Sequence, residues 1–369
     1  MLSFWEKQYW IDNGHTAVIG SGIVGLSTAI ALKRKFPENK VTIIEKGILP
    51  TGASTKNAGF ACFGTVGETI DDLNNAEESE IINTIKQRWQ GLKLLKENVS
   101  LKSMSYQNNG GFEVYDNAES FEKCYESLEY VNKLMLEATG IQNCITVKKH
   151  SIGNHLHKNA LFNPHESQLN PVKLVKSLIQ KAENLGINIV TGIGVKSFEE
   201  DKNKVKLVLD NGIEVSFQKL VFCTNAFTKN LFPNLDIIPA RNQVILTKSM
   251  DSIPLKGTFH MDKGYIYFRN IENRILIGGA RNLDSQNEKT SEFGQNTYIQ
   301  SYLKDFLETK ILQKEVQIEF EWSGIIAIGK SKKPIVEQIS DRTYIAARLG
   351  GMGVAVGSFV ADKLASIFK

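Results

Sequence analysis

The sequence has few cysteines and no recognisable metal-binding spacing. Four cysteines occur singly, without a C-x-x-C motif: Cys62, Cys124, Cys144 and Cys223. A chain of 369 residues needs no disulfides to hold a core. His155 and His157 stand two apart in a polar stretch, and no H-E-x-x-H is present. We therefore predict a protein of a reducing cytoplasm with no metal centre.

Long apolar runs and blocks of like charge are also missing. No segment approaches 18 uncharged apolar residues. The N-terminal MLSFWEKQYWIDNGH carries Glu6, Lys7 and Asp12 where a secretory signal has an apolar stretch. The 44 basic and 40 acidic residues give a net charge of +4, which does not favour nucleic-acid binding. We expect a soluble protein with no membrane span and no nucleic-acid partner.

A glycine motif follows the first apolar segment. HTAVIG, residues 15–20, is typical of a buried strand, and GSGIVG completes G-x-G-x-x-G with Gly20, Gly22 and Gly25. A helix pattern comes next and ends in basic residues before Pro37. A glycine turn between a strand and a helix lets the backbone approach a pyrophosphate, which binds the unpaired N–H groups of the helix N-terminus.

An acidic residue strengthens this interpretation. VTIIEK, residues 41–46, predicts a second buried strand, and Glu45 lies 20 residues beyond Gly25. Dinucleotide-binding folds place there the carboxylate that takes the ribose hydroxyls. Because a carboxylate disfavours a 2′-phosphate, NAD or FAD fits better than NADP.

The run GASTKNAGFACFG, residues 52–64, has three glycines and three alanines in thirteen positions. A turn needs only one or two glycines. The run is therefore either a mobile surface loop or bare backbone against which a bulky ligand lies.

The rest of the chain alternates helix and strand patterns before it becomes a sheet pattern. Residues 68–140 are mainly helical in pattern, and Asn170 before Pro171 predicts the cap of another helix. KVKLVLDNGIEVSF, residues 204–217, predicts a hairpin. From residue 236 the period changes to two, which favours an antiparallel sheet. The chain then ends in a strand, a glycine turn and a helix.

Nine segments in this order resemble the FAD-dependent D-amino acid oxidase superfamily, with the gamma-glutamylputrescine oxidase type and D-amino acid dehydrogenase-like proteins as the nearest likeness. They are FWEKQYW, IGSGIVGLSTA, GASTKNAGF, LNPVKLVKSL, VFCTNAFT, IPARNQVILT, ILIGGAR, FEWSGIIAIG and LGGMGVAVGS. The resemblance implies an α/β, two-domain protein: a glutathione-reductase-like Rossmann domain that binds FAD, and a substrate domain built on an antiparallel sheet. The implied FAD-binding domain is discontinuous, with residues 1–95, 160–235 and 320–369, and the substrate domain has residues 96–159 and 236–319.

The resemblance also implies the residues that contact FAD. The backbone of Ser21, Ile23 and Val24 would meet the pyrophosphate, Glu45 the adenosine ribose and Val195 the adenine. The full set is Gly20, Ser21, Gly22, Ile23, Val24, Gly25, Glu45, Lys46, Ser54, Thr55, Lys56, Asn57, Ala58, Gly59, Val195, Thr224, Asn225, Ala226, Gly350, Gly351, Met352, Gly353 and Val354. No cysteine occurs in WSGIIAIGKS to bond the flavin, so noncovalent FAD is expected.

By the same resemblance, the protein would oxidise the C–N bond of a small amine or amino acid by hydride transfer to flavin N5, giving an imine that hydrolyses. The sequence does not require any particular acid or base. Two carboxylate-binding arginines of relatives are replaced, one by Gly59 and one by Ile325 or Ile326.

We therefore expect a different substrate pocket. Relatives often carry a histidine at Met352 and a glycine at Arg348. Our candidates for the pocket are Tyr265, Tyr267, Arg281, Arg348 and Met352. Two other interpretations stay open at this point: a non-catalytic or electron-transfer flavoprotein, motivated by the missing arginines, and an NAD-linked dehydrogenase.

Overall fold

The structure of the protein is a computed structural model that describes residues 3–6, 8, 15–153 and 155–369. Lys7, Tyr9, Trp10 and Asp12 lie outside the described residues. The expectations drawn from FWEKQYW and from the N-terminal charges therefore concern residues that are only partly described.

Strands make up most of the framework on which the site is built. They are β1 Thr16–Ile19, β2 Val41–Glu45, β3 Phe60–Ala61, β4 Gly111–Glu113, β5 Thr146–Lys149, β6 Asn159–Asn163, β7 Ser167–Gln168, β8 Asn188–Thr191, β9 Val195–Glu200, β10 Val205–Leu209, β11 Glu214–Phe217, β12 Lys219–Phe222, β13 Ile238–Thr247, β14 Thr258–Met261, β15 Ile266–Ile271, β16 Arg274–Gly279, β17 Ile318–Ile328, β18 Ile335–Gln338 and β19 Thr343–Ala347.

The helices lie mainly in the first half of the chain and at its end. They are α1 Phe4–Glu6, α2 Ile23–Lys35, α3 Ala53–Lys56, α4 Val66–Leu73, α5 Glu78–Asn98, α6 Ala118–Glu126, α7 Leu128–Thr139, α8 Pro171–Asn184, α9 Thr297–Phe306 and α10 Gly353–Ile367. Short 3₁₀ segments cover Asn225–Asn230, Asp262–Gly264 and Arg281–Asp284, and a π-helical segment covers Leu307–Leu312.

A six-stranded sheet carries the first glycine motif. Its strand order is β18-β19-β12-β1-β2-β8, parallel except for the edge pair of β18 and β19. Val18 packs with helices α2, α5 and α10 on one face, whereas Ala17 and Ile19 pack on the other face against the three-stranded sheet of β9, β10 and β11. Alternate residues of a strand point to opposite faces. Burial of both faces therefore explains the uninterrupted apolar sequence of β1.

An eight-stranded sheet forms the second layer of strands in the fold. Its order is β17-β13-β16-β15-β14-β4-β6-β5, antiparallel except for the pair of β14 and β4. On the back face Phe259 stacks between Phe112 and Phe268, with 5.0 Å between ring centroids on each side, and this cluster continues to α9. The adjacent residues Glu113, His260 and Tyr267 lie in register across three strands. Their side chains project to the opposite face, which we call the front face.

The fold predicted from sequence is confirmed: an α/β protein of two domains, with a parallel sheet behind the glycine motif and an antiparallel sheet in the other part. The 204–217 hairpin is formed by β10 and β11, and Asn170 caps α8 by accepting from Lys173 N. The domain boundaries stay a prediction. Strand β17 is continuous from Ile318 to Ile328 and pairs with β13 in the eight-stranded sheet. A domain boundary at residue 320 would cut through this strand. No helix in the described part of the chain is both long and apolar enough to cross a membrane.

Candidate active site

A large, continuous cavity of about 1500 Å³ extends from the ends of β1 and β2 to the front face of the eight-stranded sheet. Glu45, Lys46 and Val195 line one end, and His260 and Tyr267 line the other. Such a volume holds far more than a small substrate, since ligand pockets commonly measure about 300–1,000 Å³.

The first glycine turn brings α2 close to β1. Gly20 has a φ of +101°, and its N–H donates to Ile44 O at 2.8 Å. A Cβ on Gly25 would lie 1.9 Å from Gly20 O, so only glycine permits this approach of helix and strand. Gly25 therefore lies between helix and strand and does not line the cavity. This is the role expected for the third glycine of the motif.

Glu45 ends β2 beside this turn. Its Oε2 accepts from Ser21 N at 2.8 Å and from Ser21 Oγ at 2.7 Å, and its Oε1 accepts from Gly47 N at 2.9 Å. A carboxylate has about four acceptor positions, so Glu45 can still accept from a ribose hydroxyl. The Ser21 backbone, expected at the pyrophosphate, donates to Glu45 instead, and Ser21 does not line the cavity.

The run at residues 52–64 forms one wall of the cavity. Ser54 Oγ accepts from Ile23 N at 2.9 Å at the start of α2, and Asn57 Oδ1 accepts from Gly59 N at 2.8 Å. Thr55 points away, because its hydroxyl donates to Pro50 O and Gly52 O. The run is thus held by its own side chains with its backbone along the cavity, as expected for a segment against which a ligand lies.

The second glycine turn brings another helix N-terminus to the same cavity. Gly350 and Gly351 have φ values of +58° and +83° before α10, and a Cβ on Gly357 would lie 2.9 Å from Ile23 Cγ2. Helices α2 and α10 therefore pack side by side. Neither helix is capped by the side chain of its own N-cap residue, although Ser54 Oγ accepts from Ile23 N of α2. Both N-termini therefore direct positive dipoles to the cavity.

A buried polar atom without a hydrogen-bond partner indicates that this part of the cavity is a ligand-binding site. The Oδ1 atom of Asn225 is buried without a hydrogen-bond partner among the described residues, and Asn225 has a φ of +48° and lines the cavity. Buried polar atoms in native proteins almost always have partners. The donors of two helix ends and this free acceptor suit a large, polar, anionic cofactor.

Most residues expected at the cofactor line this cavity. The exceptions are Ser21, Gly25 and Thr55, for the reasons above. Those that line it are Gly20, Gly22, Ile23, Val24, Glu45, Lys46, Ser54, Lys56, Asn57, Ala58, Gly59, Val195, Thr224, Asn225, Ala226, Gly350, Gly351, Met352, Gly353 and Val354. Their individual contacts with a cofactor stay predictions.

The candidates for the substrate pocket also line the cavity, but they differ in whether their side chains are free to contact a bound molecule. Tyr267 packs edge-on against Phe60 with 5.6 Å between centroids, and burial raises the pKa of its phenol to about 12. Tyr265 is 39% exposed, and Met352 is the N-cap residue of α10. No hydrogen bond or ion pair of the Arg281 guanidinium is found among the described residues.

Arg348 differs from our expectation that it is a free anion partner. Its Nη1 donates to Asp236 Oδ2 at 2.6 Å, and its Nε donates to Lys333 O at 3.1 Å. The guanidinium is therefore occupied. Arg348 has a φ of +60°, in the left-handed region that favours glycine, which fits the glycine that the resemblance implies at this position.

Sequence reasoning missed a polar cluster at the front face, formed by Cys62, Glu166 and His260. Their ligating or ionisable atoms lie within 4.8 Å of one another, and all three residues are buried and line the cavity. His260 Nε2 and Glu166 Oε2 are 2.8 Å apart, the distance of a charge-assisted hydrogen bond. Burial and the nearby Glu166 raise the pKa of the Cys62 thiol well above its ordinary value. The expectation of no metal centre stays a prediction.

A second network lies next to it. Glu68 accepts from Arg88 Nη2 at 3.0 Å and from Lys332 Nζ at 2.8 Å. Burial alone would raise the pKa of Glu68, but the charges of Arg88 and Lys332 outweigh it and hold that pKa far below its ordinary value. Glu68 therefore stays ionised at the edge of the cavity.

Residues 15–367 match the family of FAD dependent oxidoreductases. The chain belongs to this family. The enzyme is therefore an FAD-dependent oxidoreductase and not an NAD-linked dehydrogenase. The FAD implied by the family fits the structure, because the cavity combines two helix N-termini with Asn225 Oδ1, which has no partner among the described residues.

Individual relatives agree with this assignment. The chain is 23% identical over 96% of its length, and 83% of the relative's, to the probable oxidoreductase OrdL of Haemophilus influenzae. It shares the fold of L-proline dehydrogenase from P. horikoshii, with a TM-score of 0.76, 18% identity and coverage of 97% of this chain and 93% of that one. Glycine oxidase from Bacillus cereus gives a TM-score of 0.73, 17% identity and coverage of 97% and 94%.

Proposed function

We propose that the enzyme oxidises the C–N bond of a small amine or amino acid to an imine, which water then hydrolyses. The observation that carries this proposal is the continuity of the cavity from the helix N-termini to the polar and aromatic front face. Several relatives of this fold are named for amino acid oxidation, among them glycine oxidase and L-proline dehydrogenase. FAD supplies the two-electron acceptor for such a reaction when bound.

In this proposal the residues of the chain bind and orient the reactants. The N–H groups at the starts of α2 and α10 hold the anionic parts of the cofactor. Ala58 and Gly59 line the cavity, and their backbone would hold the flavin ring. Tyr267 packs against Phe60 of the same cavity wall and narrows the cavity at the front face, which would position the reacting carbon and limit entry of water.

Arg281 is the cation that would hold a substrate carboxylate in this arrangement. It lines the cavity, and its guanidinium has no partner among the described residues. Arg348 does not serve this purpose because Asp236 and Lys333 O occupy it. A substrate with an anionic group is therefore preferred over a simple alkylamine.

The test is anaerobic reduction of the FAD-loaded enzyme by a panel of D-amino acids, N-methyl amino acids and polyamine derivatives. At least one compound is expected to bleach the flavin absorbance, whereas its N-acetylated analogue, which lacks a basic nitrogen, leaves the absorbance unchanged. If dithionite bleaches the flavin but no compound of the panel does, the proposed function is wrong. Readmission of oxygen or of a soluble quinone then identifies the class of electron acceptor.

A further inference from the structure

Cys62, Glu166 and His260, which we call the front-face cluster, lie where a substrate would meet the eight-stranded sheet. The His260 ring stands edge-on to Phe60, with 5.2 Å between ring centroids, and Phe60 follows the wall residue Gly59 directly. His260 is therefore next to the part of the cavity in which the proposed reaction takes place.

Glu166 is fixed with its carboxylate directed at His260. The Glu166 side chain is 1% exposed, and its Oε2 accepts from His260 Nε2 at 2.8 Å and from Thr258 Oγ1 at 3.3 Å. A Cβ on Gly111 would lie 2.0 Å from that oxygen, so the glycine makes room for the carboxylate. Glu166 has no other cation paired with it among the described residues.

This geometry sets the tautomer of the ring. Because a carboxylate accepts, His260 Nε2 carries the hydrogen, and Nδ1 of the neutral ring keeps a lone pair. Nδ1 has no hydrogen-bond partner among the described residues and is not sealed from solvent. Since His260 lines the cavity, this lone pair is available to a molecule bound there.

Several charged and titratable groups surround His260. They come from the loop before β7, from strand β4, from helix α4, from the segment after β3 and from strand β15: Glu166, Glu113, Glu68, Cys62 and Tyr267.

The negative charges of two of these carboxylates are already balanced by other hydrogen-bond donors or cations. Glu113 accepts from Val66 N and Gly67 N, and Glu68 is paired with Arg88 and Lys332. Only Glu166 pairs with His260 directly. Burial lowers the pKa of His260. The negative charges of Glu166 and, more remotely, of Glu113 and Glu68 raise that pKa by more than burial lowers it, so the net shift is upward. His260 is thus a stronger base than a free imidazole.

We propose that His260 accepts the proton of the substrate's ammonium group, and that Glu166 is the positioning residue that orients the ring and pairs with the imidazolium. This inference rests on the proposed function. An N–H bond of R₂CH–NH₃⁺ breaks, the proton bonds to Nδ1, and the nitrogen keeps the electron pair as R₂CH–NH₂. The neutral amine then loses the C–H hydrogen with its two electrons to oxidised FAD and becomes the iminium, while His260 stays protonated beside Glu166.

The reason for such a base is the charge of the substrate. An aliphatic ammonium group is fully protonated at neutral pH, and only the neutral amine has a lone pair that can assist loss of hydride from the adjacent carbon. A positioned general base contributes about 10²–10⁴-fold. The benefit disappears at a pH at which the free substrate is already neutral.

The test compares anaerobic flavin reduction in the wild type, His260→Asn and Glu166→Gln between pH 6 and pH 10. The control is His157→Gln, because His157 is partly buried and stacks on Phe121 outside the cavity. All variants are first loaded with FAD, and their flavin content is measured. The substrate is the compound of the panel that reduces the wild-type enzyme fastest.

We expect His260→Asn to reduce the rate at least 100-fold at pH 7.5 and to approach the wild-type rate near pH 10. Glu166→Gln is expected to move the ascending limb of the wild-type pH profile to lower pH, because removal of the carboxylate charge lowers the pKa of His260. His157→Gln keeps the wild-type profile. Asn and Gln were chosen because they retain hydrogen-bonding groups. If His260→Asn does not fold, the pH profile of Glu166→Gln tests the role of His260 by itself.

Failure of the inference differs from failure of the proposed function. Two outcomes would overturn only the role of His260 while the wild-type flavin is still reduced. In one, His260→Asn lowers the rate of flavin reduction by the same factor at every pH. In the other, Glu166→Gln leaves the ascending limb of the pH profile in place. If no compound of the panel reduces the wild-type flavin although dithionite does, the proposed function is overturned, and this inference with it.

Discussion

The indole Nε1 of Trp322 donates a hydrogen bond to the carbonyl oxygen of Lys56, with 2.9 Å between the two atoms. Trp322 belongs to β17 of the eight-stranded sheet, and Lys56 ends α3 in the cavity wall. On the same strand, a Cβ on Gly324 would lie 3.4 Å from Lys56 Cβ. The substrate-facing sheet and the wall along the proposed flavin ring are therefore held in one geometry by a direct contact.

Trp322→Phe removes this hydrogen bond and keeps most of the aromatic packing. A hydrogen bond of this kind contributes about 1 kcal/mol, so we expect the dissociation constant of FAD to rise about fivefold. The measurement is titration of the apoprotein with FAD, followed by flavin fluorescence. Trp89→Phe is the matched control, because Trp89 Nε1 has no partner among the described residues. An equal effect of both substitutions would contradict the prediction.

Gly59 is a position that no larger side chain fits. Its φ is +73°, and a Cβ would lie 2.2 Å from Leu169 O and 3.1 Å from Nη2 of the buried Arg269. Gly59→Ala therefore has to displace backbone, at a cost of about 1–3 kcal/mol for overpacking and about 1 kcal/mol for the left-handed conformation.

The expected result for Gly59→Ala is a lower thermal midpoint of the apoprotein and impaired loading with FAD. Bulkier replacements impair loading and reduction further. Gly52→Ala is the stability control, because its φ is −79° and no atom lies within 4 Å of the added Cβ. An unchanged flavin spectrum and unchanged turnover in Gly59→Ala would show that this segment does not touch the ring.

Arg281 and Arg348 are distinguished by their partners. Loss of a charge-assisted hydrogen bond costs about 1.5–3 kcal/mol, so Arg281→Ala is expected to weaken binding of amines that carry a carboxylate at least tenfold, with little change for amines without one. Arg348→Ala instead breaks the pair with Asp236 and lowers thermal stability without this selectivity. Anaerobic titration with matched pairs of substrates measures both effects. Equal losses for both kinds of substrate in Arg281→Ala would refute its role.

Glu68 makes the stability of the protein depend on pH. Its pKa in the folded state is lowered from 4.5, so its stabilising contribution is complete above about pH 5 and is lost as the pH falls below the unfolded-state value. Glu68→Gln leaves the buried Arg88 without its carboxylate and is expected to lower the free energy of unfolding by about 3–5 kcal/mol at pH 7.

The difference between wild type and Glu68→Gln is expected to shrink as the pH is lowered from 5 towards 3, and urea unfolding at several pH values measures it. Glu129→Gln serves as the control, because Glu129 is an exposed partner of Lys133 and such surface pairs contribute little. A difference that stays constant over this range would contradict the assignment of the pH dependence to Glu68.

The first glycine motif could be predicted because its determinants are local. Gly20, Gly22 and Gly25 stand within six residues between a strand and a helix, and the required close approach appears in the structure as a Cβ position on Gly25 only 1.9 Å from Gly20 O. The same holds for the Asn170 cap and the 204–217 hairpin. Their signals are set by backbone geometry over a few residues.

The candidate site could be predicted only in part. Sequence identified the segments that line the cavity, but it could not assign the partners of individual side chains. Ser21 donates to Glu45, and Arg348 is occupied by Asp236, which is 112 positions away in the chain. The motif spacing identified Glu45 but not its pairing with Ser21, and no motif spacing identifies Asp236, because both pairs form only when distant elements pack.

By itself, the sequence determined the cofactor-binding architecture: the strand, the glycine turn, the helix and the acidic end of β2 follow from local conformational preferences and apolar periodicity. Only the tertiary structure decided the chemistry at the front face. Glu166 and His260 are 94 positions apart and meet because β4 and β14 lie side by side and Gly111 leaves room for the carboxylate. Burial and long-range pairing then shift the pKa of His260, and neither is encoded in a short stretch of sequence.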